Sequence, residues 1–122
     1  MIGELPLPDG RRCDIIGLAA DGTFTIVEIK SCVADFRVDQ KWQEYRGYCD
    51  RLFFAVDAGF PTEILPGDAG LILADRYGGA FVREAPCHKL APARRKALLL
   101  RFARVSAARL GRERDPGLSD LA

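Results

Sequence analysis

The sequence predicts an α/β (α+β) fold with a mixed sheet of about five strands flanked by helices, and three observations support this prediction. Two runs rich in β-branched and aromatic residues lie on either side of an Asp-Gly pair, which is typical of a β-hairpin. Short apolar runs of strand length recur after residue 50. Two longer segments carry apolar residues at helical spacing. A chain of 122 residues suits one compact domain with one core.

The hairpin consists of two predicted strands, at about 12–18 and 23–30, joined by a turn at Asp21-Gly22. Residues 6–10 contain two prolines and a glycine, and we expect a turn there, ahead of the first strand. The second strand is apolar almost to its end, as expected for a strand that is buried on both faces.

After the hairpin, aromatic residues at helical spacing predict an amphipathic helix from Val33 to about Asp50. The later elements are three strands and a helix, at 52–56, 70–75, 80–84 and 91 to about 109. The predicted order is therefore β-β-α-β-β-β-α. We expect a single domain over residues 1–112, followed by a carboxyl-terminal tail at 113–122.

Composition and charge limit the function classes. No apolar run is long enough for a membrane helix, and the amino terminus lacks a signal-peptide pattern, so we expect a cytoplasmic protein without membrane contact. The four cysteines form no C-x-x-C pair, which argues against a zinc site. Residues 1–89 carry 10 basic and 14 acidic side chains, whereas residues 90–122 carry 8 and 3. An acidic body with a basic helix suits metal-dependent chemistry on a phosphodiester.

The candidate catalytic residues are Asp14, Glu28 and Lys30. Glu28 and Lys30 lie two residues apart on one predicted strand, so their side chains point to the same face. A hairpin turn at Asp21-Gly22 would place residue 14 opposite residue 29 or 30. Burial of charged groups at the end of a core strand is costly unless other groups compensate. The pattern therefore predicts a functional site, although a structural ion pair at a strand end is the alternative.

Two carboxylates and an ammonium group suit phosphodiester hydrolysis. Mg²⁺ or Mn²⁺ takes oxygen ligands, which Asp14, Glu28 and the carbonyl of Ile29 would supply. The metal would neutralise phosphate charge and lower the pKa of a bound water. Lys30 would hold that water, or help to deprotonate it, and stabilise the developing negative charge.

Asp14 followed by Glu28-x-Lys30 resembles the D…(D/E)xK core of the restriction-endonuclease-like nuclease superfamily, PD-(D/E)XK. A wider similarity lies in the segments 5–14, 27–31, 35–45, 48–56, 70–75 and 94–104. These segments resemble the MmcB family of bacterial DNA-repair proteins, and the similarity covers about residues 4–110. It implies a restriction-endonuclease-like core, a DNA nuclease activity and a role in DNA repair. Family members usually carry a further helix before the Leu-Pro-Leu-Pro segment, and either that helix is absent here or the start of the chain is set late.

Two further groups are candidate substrate-binding residues. Lys41-x-x-x-Tyr45 resembles a Gln-x-x-x-Tyr pattern of superfamily nucleases, with lysine in place of glutamine. The alternative is that Lys41 is a solvated charge and Tyr45 belongs to the core. In the last helix, Arg94, Arg95 and Arg101 are expected to contact DNA phosphates, or else to form a solvated helix face.

Two function classes remain open at this point. The first is a metal-dependent DNA nuclease that hydrolyses phosphodiester bonds in DNA repair. The second is a catalytically inactive nuclease-fold module that binds DNA or a partner in a repair complex, and a domain with a purely structural role is a weaker third. The expected partners are DNA and other repair proteins, and a homodimer is left open.

Overall fold

A six-stranded mixed sheet forms the centre of the fold in the computed structural model, which describes residues 1–38 and 42–115. The strands lie side by side in chain order and are β1 Ile2–Pro6, β2 Arg12–Leu18, β3 Phe24–Ile29, β4 Arg51–Val56, β5 Gly70–Asp75 and β6 Gly78–Arg83. The pairs β3–β4 and β4–β5 are parallel, and the other neighbouring pairs are antiparallel. The predicted mixed sheet is confirmed, with one strand more than expected.

The additional strand is β1, which the sequence interpretation missed because Pro6 ends it and Pro8 follows two residues later. β1 pairs only with β2 and is therefore an edge strand. A proline at the end of an edge strand leaves the hydrogen-bonded ladder intact, so Pro6 is tolerated there. Leu5 is fully buried and ties this edge to the core. The predicted turn follows directly, where the Gly10 N–H donates to the Leu7 carbonyl at 2.9 Å.

The predicted hairpin is confirmed as β2 and β3, but its loop is longer than expected. Residues 20–22 form a three-residue loop, which is closed by a hydrogen bond from the Ala19 N–H to the Thr23 carbonyl at 2.9 Å. Gly22 has a φ of 90°, which suits the last position of this type of loop. The turn contains Asp21 and Gly22 as predicted, but its loop of three residues shifts the strand register from the expected one.

The helices are α1 Val33–Val38, α2 Trp42–Tyr45 and α3 Pro92–Arg114, with single 3-10 turns at Arg46–Tyr48 and Thr62–Ile64. α3 continues beyond its predicted end near residue 109 into the first two residues of the predicted tail, and residues 116–122 of that tail lie outside the described residues. In the described part of the chain, no helix combines the length and apolar character that crossing a membrane requires.

The helix predicted from Val33 to about Asp50 ends earlier than expected, because its last described turn, Arg46–Tyr48, is a 3-10 turn. The described parts of this segment are α1, α2 and a 3-10 turn, and residues 39–41 lie outside the description. Gly47 weakens helix propensity near the end of the segment. The chain must also leave the helix before Asp50, because the Asp50 N–H donates to the Phe24 carbonyl at 2.8 Å and so starts the pairing of β4 with β3.

A buried ion pair connects α3 to the start of β3 and β4. The Asp50 carboxylate is 2% exposed and accepts hydrogen bonds from the N–H groups of Phe24 (2.8 Å) and Leu90 (2.9 Å). Both its oxygens also accept from the Arg95 guanidinium. Burial alone would raise the pKa of Asp50, but the bonds from Arg95, Leu90 and Phe24 outweigh it and lower the pKa to about 2.

The three α-helices cover the same face of the sheet. Phe24 packs edge-on against Phe102 of α3, and Phe54 packs against Phe36 and Trp42 of the shorter helices. Glu28 lies beside Phe54 in the β3–β4 register. Glu28 is therefore on the helix-covered face, near the carboxyl end of β3.

Candidate active site

Asp14 and Glu28 lie next to each other on β2 and β3. The observed register ends with the pair of Ile15 and Val27, and Asp14 and Glu28 adjoin this pair on the two strands. The predicted position of residue 14, opposite residue 29 or 30, is wrong by one or two residues because of the longer loop. The two carboxylates are close enough for the charge of Asp14 to act on Glu28, and hydrogen bonds link the two residues.

Backbone amides of the neighbouring strand orient both carboxylates. The Asp14 N–H donates to Glu28 Oε1 at 3.1 Å, and the Ile29 N–H donates to Asp14 Oδ2 at 2.8 Å. Each carboxylate is therefore positioned through one oxygen. The sequence interpretation missed these two amides, because hydrogen bonds across a hairpin depend on a register that was predicted one or two residues away.

Glu28 is buried and carries a shifted pKa. The residue is 3% exposed, and burial disfavours its ionised form. Together with the negative charge of Asp14, burial raises the pKa of Glu28 to about 8. The bond from the Asp14 N–H and the charge of Lys30 oppose this shift only in part. The pair therefore favours a proton or another cation close to the two carboxylates.

Lys30 is buried beside Glu28. The residue directly follows β3, and its backbone N–H donates to the Ala55 carbonyl at 3.0 Å, which continues the pairing with β4. Lys30 is 6% exposed, and its charge acts on the carboxylate of Glu28. The structure therefore brings Asp14, Glu28 and Lys30 together at one end of the sheet.

The donor set at this site fits a hard divalent cation. Among the residues that the structure describes, no group of three or more histidine, cysteine, aspartate or glutamate side chains could hold a metal ion. Mg²⁺ commonly binds through one or two carboxylates and completes its shell with waters and substrate phosphate. Asp14 and Glu28 match that requirement. The backbone of Ile29 lies next to both carboxylates, because Ile29 follows Glu28 on β3 and its N–H donates to Asp14.

Tyr45 lies beside the strand that carries Asp14. Its side chain is buried, and its hydroxyl donates to the Arg12 carbonyl at 3.2 Å, two residues before Asp14. Tyr45 thus belongs to the core and also borders the site. Lys41, the other member of this predicted pair, lies outside the described residues.

Arg94 and Arg95 lie far along the sheet from Glu28, at the start of α3. The Arg94 guanidinium donates to the Gly47 carbonyl at 3.0 Å, and Arg95 forms the ion pair with Asp50. Asp50 bonds to the N–H of Phe24, the first residue of β3, whereas Glu28 is near the end of that strand. The structure therefore does not bring these two arginines to the candidate site.

Arg101 lies at the other end of the sheet, nearer the candidate site. Its guanidinium donates to the Pro6 carbonyl at 3.3 Å. Pro6 pairs with Arg12, and Arg12 precedes Asp14 by two residues on β2. Of the three predicted phosphate contacts on α3, Arg101 is the one placed toward Asp14.

Comparison with known proteins identifies the family of this chain. The family profile described as DNA repair protein MmcB-like matches residues 1–117. The chain belongs to the MmcB-like family. A solved structure similar to this MmcB-like chain is that of SPO1766, a protein of unknown function from Silicibacter pomeroyi. The two are 49% identical, the match covers 95% of this chain and 80% of that chain, and the TM-score is 0.87. No curated protein matches the chain.

Membership of the MmcB-like family indicates a role in DNA repair for this chain. The candidate site lies within the matched residues, as do the whole of the described sheet and α3. The family assignment leaves the chemistry of the site open.

Proposed function

We propose that this MmcB-like protein is a metal-dependent DNA nuclease that hydrolyses phosphodiester bonds during DNA repair. The observation that carries this proposal is the pair of opposed carboxylates, Asp14 and Glu28, with Lys30 next to them. Burying a glutamate beside a second carboxylate raises its pKa and costs folding stability, which a purely structural role does not explain. The D…(D/E)xK pattern supports assignment to the restriction-endonuclease-like superfamily.

Each residue has a distinct part in the proposed reaction. Asp14 and Glu28 would hold Mg²⁺ or Mn²⁺ through their carboxylate oxygens, with the Ile29 carbonyl as a further oxygen. A bound divalent metal supplies charge neutralisation at the phosphate and acidifies a bound water. The Lys30 ammonium holds the attacking water by hydrogen bonding and stabilises negative charge as it develops on the phosphate.

The test of this proposal is cleavage of a panel of labelled single-stranded, duplex and branched DNAs by the purified protein. We expect cutting of at least one substrate with Mg²⁺ or Mn²⁺ and none in the presence of EDTA. A protein that binds these DNAs but cuts none of them with either metal would instead be an inactive DNA-binding module of a repair complex.

The raised pKa of Glu28 makes metal affinity depend on pH. A metal competes with the proton for the ionised carboxylate, and Glu28 has a pKa of about 8. Affinity for Mg²⁺ should therefore rise about tenfold per pH unit up to about pH 8 and level off above it. Calorimetric titration between pH 6 and pH 9 in two buffers of different ionisation enthalpy would measure both the affinity and the released proton.

The matched variants for this titration are Glu28→Ala at the site and Glu63→Ala on the exposed 3-10 turn. Glu63→Ala should retain the affinity of the wild type and its pH dependence. Equal heats for Glu28→Ala and the wild type would contradict the assignment of Glu28 as a metal ligand.

A further inference from the structure

A groove lined by arginines lies between α3 and the end of β1. It has a volume of about 820 Å³ and is lined by one stripe of α3 together with Pro6. Four arginines line it: Arg101, Arg104, Arg109 and Arg112. None of the described residues that line it is acidic, so this lining carries positive charge.

Two of these arginines are held in place by β1. Arg101 donates to the Pro6 carbonyl, and Arg109 donates to the carbonyls of Gly3 and Glu4. These bonds satisfy polar groups of an edge strand that would otherwise face solvent. A guanidinium has five N–H donors, so both arginines keep donors for a ligand.

The other two arginines face solvent. Arg104 and Arg112 are exposed, and neither makes a hydrogen bond or ion pair within residues 1–38 and 42–115. They alternate along α3 with Arg101 and Arg109, so the groove has both fixed and adaptable guanidinium groups. Leu100 is 58% exposed and adds an apolar surface to the groove.

The groove runs beside the candidate active site. Its fixed arginines bind β1 at Gly3 and Pro6, and these residues pair with Ile15 and Arg12, on either side of Asp14 along β2. Strands are spaced by about 4.8 Å, so the outer edge of β1 lies on the order of 10 Å from the Asp14 backbone. One DNA strand has a phosphate about every 3.4 Å along the duplex axis, so the distance corresponds to about three nucleotides.

We propose that the α3 groove binds the phosphate backbone of the DNA strand whose scissile bond lies at Asp14, Glu28 and Lys30. This proposal rests on the proposed nuclease function and assigns its substrate-binding surface. The ligand class follows from the lining, because guanidinium groups match phosphate oxygens in charge and hydrogen-bonding geometry. The arginines that line the groove would contact phosphates and not base edges, so this binding does not depend on the DNA sequence.

The test is fluorescence anisotropy with labelled single-stranded and duplex DNA in EDTA, which separates binding from cleavage. The double variant Arg104→Ala/Arg112→Ala removes the two exposed arginines and leaves the bonds to β1 intact. Its matched control is Arg76→Ala/Lys89→Ala, which removes the same charge at exposed positions outside the groove. Urea denaturation of both variants checks that they are folded.

We expect the groove variant to lose at least tenfold in affinity at about 100 mM salt and the control to lose less than threefold. The slope of log affinity against log salt should also fall by about 1.5 in the groove variant, since each phosphate contact contributes about 0.7 to 0.9. Equal losses in both double variants, or no DNA binding by the wild type, would overturn the proposal. Binding that depends on Arg104 and Arg112 in a protein that cuts no DNA would uphold the groove while refuting the nuclease function.

Discussion

Glu28→Gln is expected to reduce the rate of metal-dependent DNA cleavage at least about 100-fold, an effect typical of losing one charged or polar group that stabilises a transition state. Glutamine has the shape of glutamate but lacks the negative charge that a divalent cation requires. Initial rates with Mg²⁺ or Mn²⁺ on the best substrate of the DNA panel would measure the loss. Glu63→Gln, at an exposed position, is the matched control and should cleave like the wild type.

Stability distinguishes this functional role of Glu28 from a structural one. Burial and Asp14 disfavour the ionised glutamate, so Glu28→Gln should leave the free energy of unfolding at pH 8 unchanged or raise it. A structural ion pair with Lys30 would predict the opposite, a clear loss of stability. An active Glu28→Gln protein with reduced stability would therefore contradict the proposed site.

Lys30→Met tests the role of Lys30 in DNA cleavage independently of Glu28. Methionine keeps most of the apolar volume of the buried lysine but has no ammonium group, so cleavage should fall by a similar factor of at least about 100. Lys89→Met, at an exposed position, is the control. Cleavage by Lys30→Met at the wild-type rate would remove Lys30 from the mechanism.

Asp50→Asn is expected to lower the free energy of unfolding by about 3–5 kcal/mol, the usual effect of removing one partner of a buried ion pair. The change leaves the Arg95 guanidinium without its counter-charge and weakens the bonds from the N–H groups of Phe24 and Leu90. Urea denaturation monitored by circular dichroism would measure it. The control is Asp68→Asn, because Asp68 is 64% exposed in its pair with Arg46, and such pairs contribute less than about 1 kcal/mol.

The pH dependence of stability provides a second test of this pair. The pKa of Asp50 is lowered to about 2 in the folded protein, below its usual value of 3.8. Its contribution is therefore complete above about pH 4 and is lost as the pH falls toward 2. The difference in stability between wild type and Asp50→Asn should shrink over that range. A constant difference between pH 2 and pH 6 would show that the charge of Asp50 is not what stabilises the fold.

Local patterns predicted most of the fold and the central residues of the candidate site. The β-branched and aromatic residues of β3 predict a buried strand, whichever elements it packs against. The two-residue spacing of Glu28 and Lys30 alone puts them on one face. The Asp-Gly pair predicted the hairpin that brings Asp14 to the same end of the sheet. These are properties of short segments, so they can be recognised without knowledge of distant contacts.

The tertiary structure decided features that depend on residues far apart in the chain. The register that places Asp14 against Glu28 depends on a three-residue loop, and β1 becomes a strand only because it pairs with β2 at an edge where Pro6 costs no bond. The different roles of the arginines on α3 could not be read from the sequence either. Arg95 neutralises a buried aspartate 45 residues away, whereas Arg101 reaches the edge of the sheet beside the candidate site. Helical periodicity gives all these arginines the same local pattern, and only the long-range contacts separate structural ones from those available to DNA.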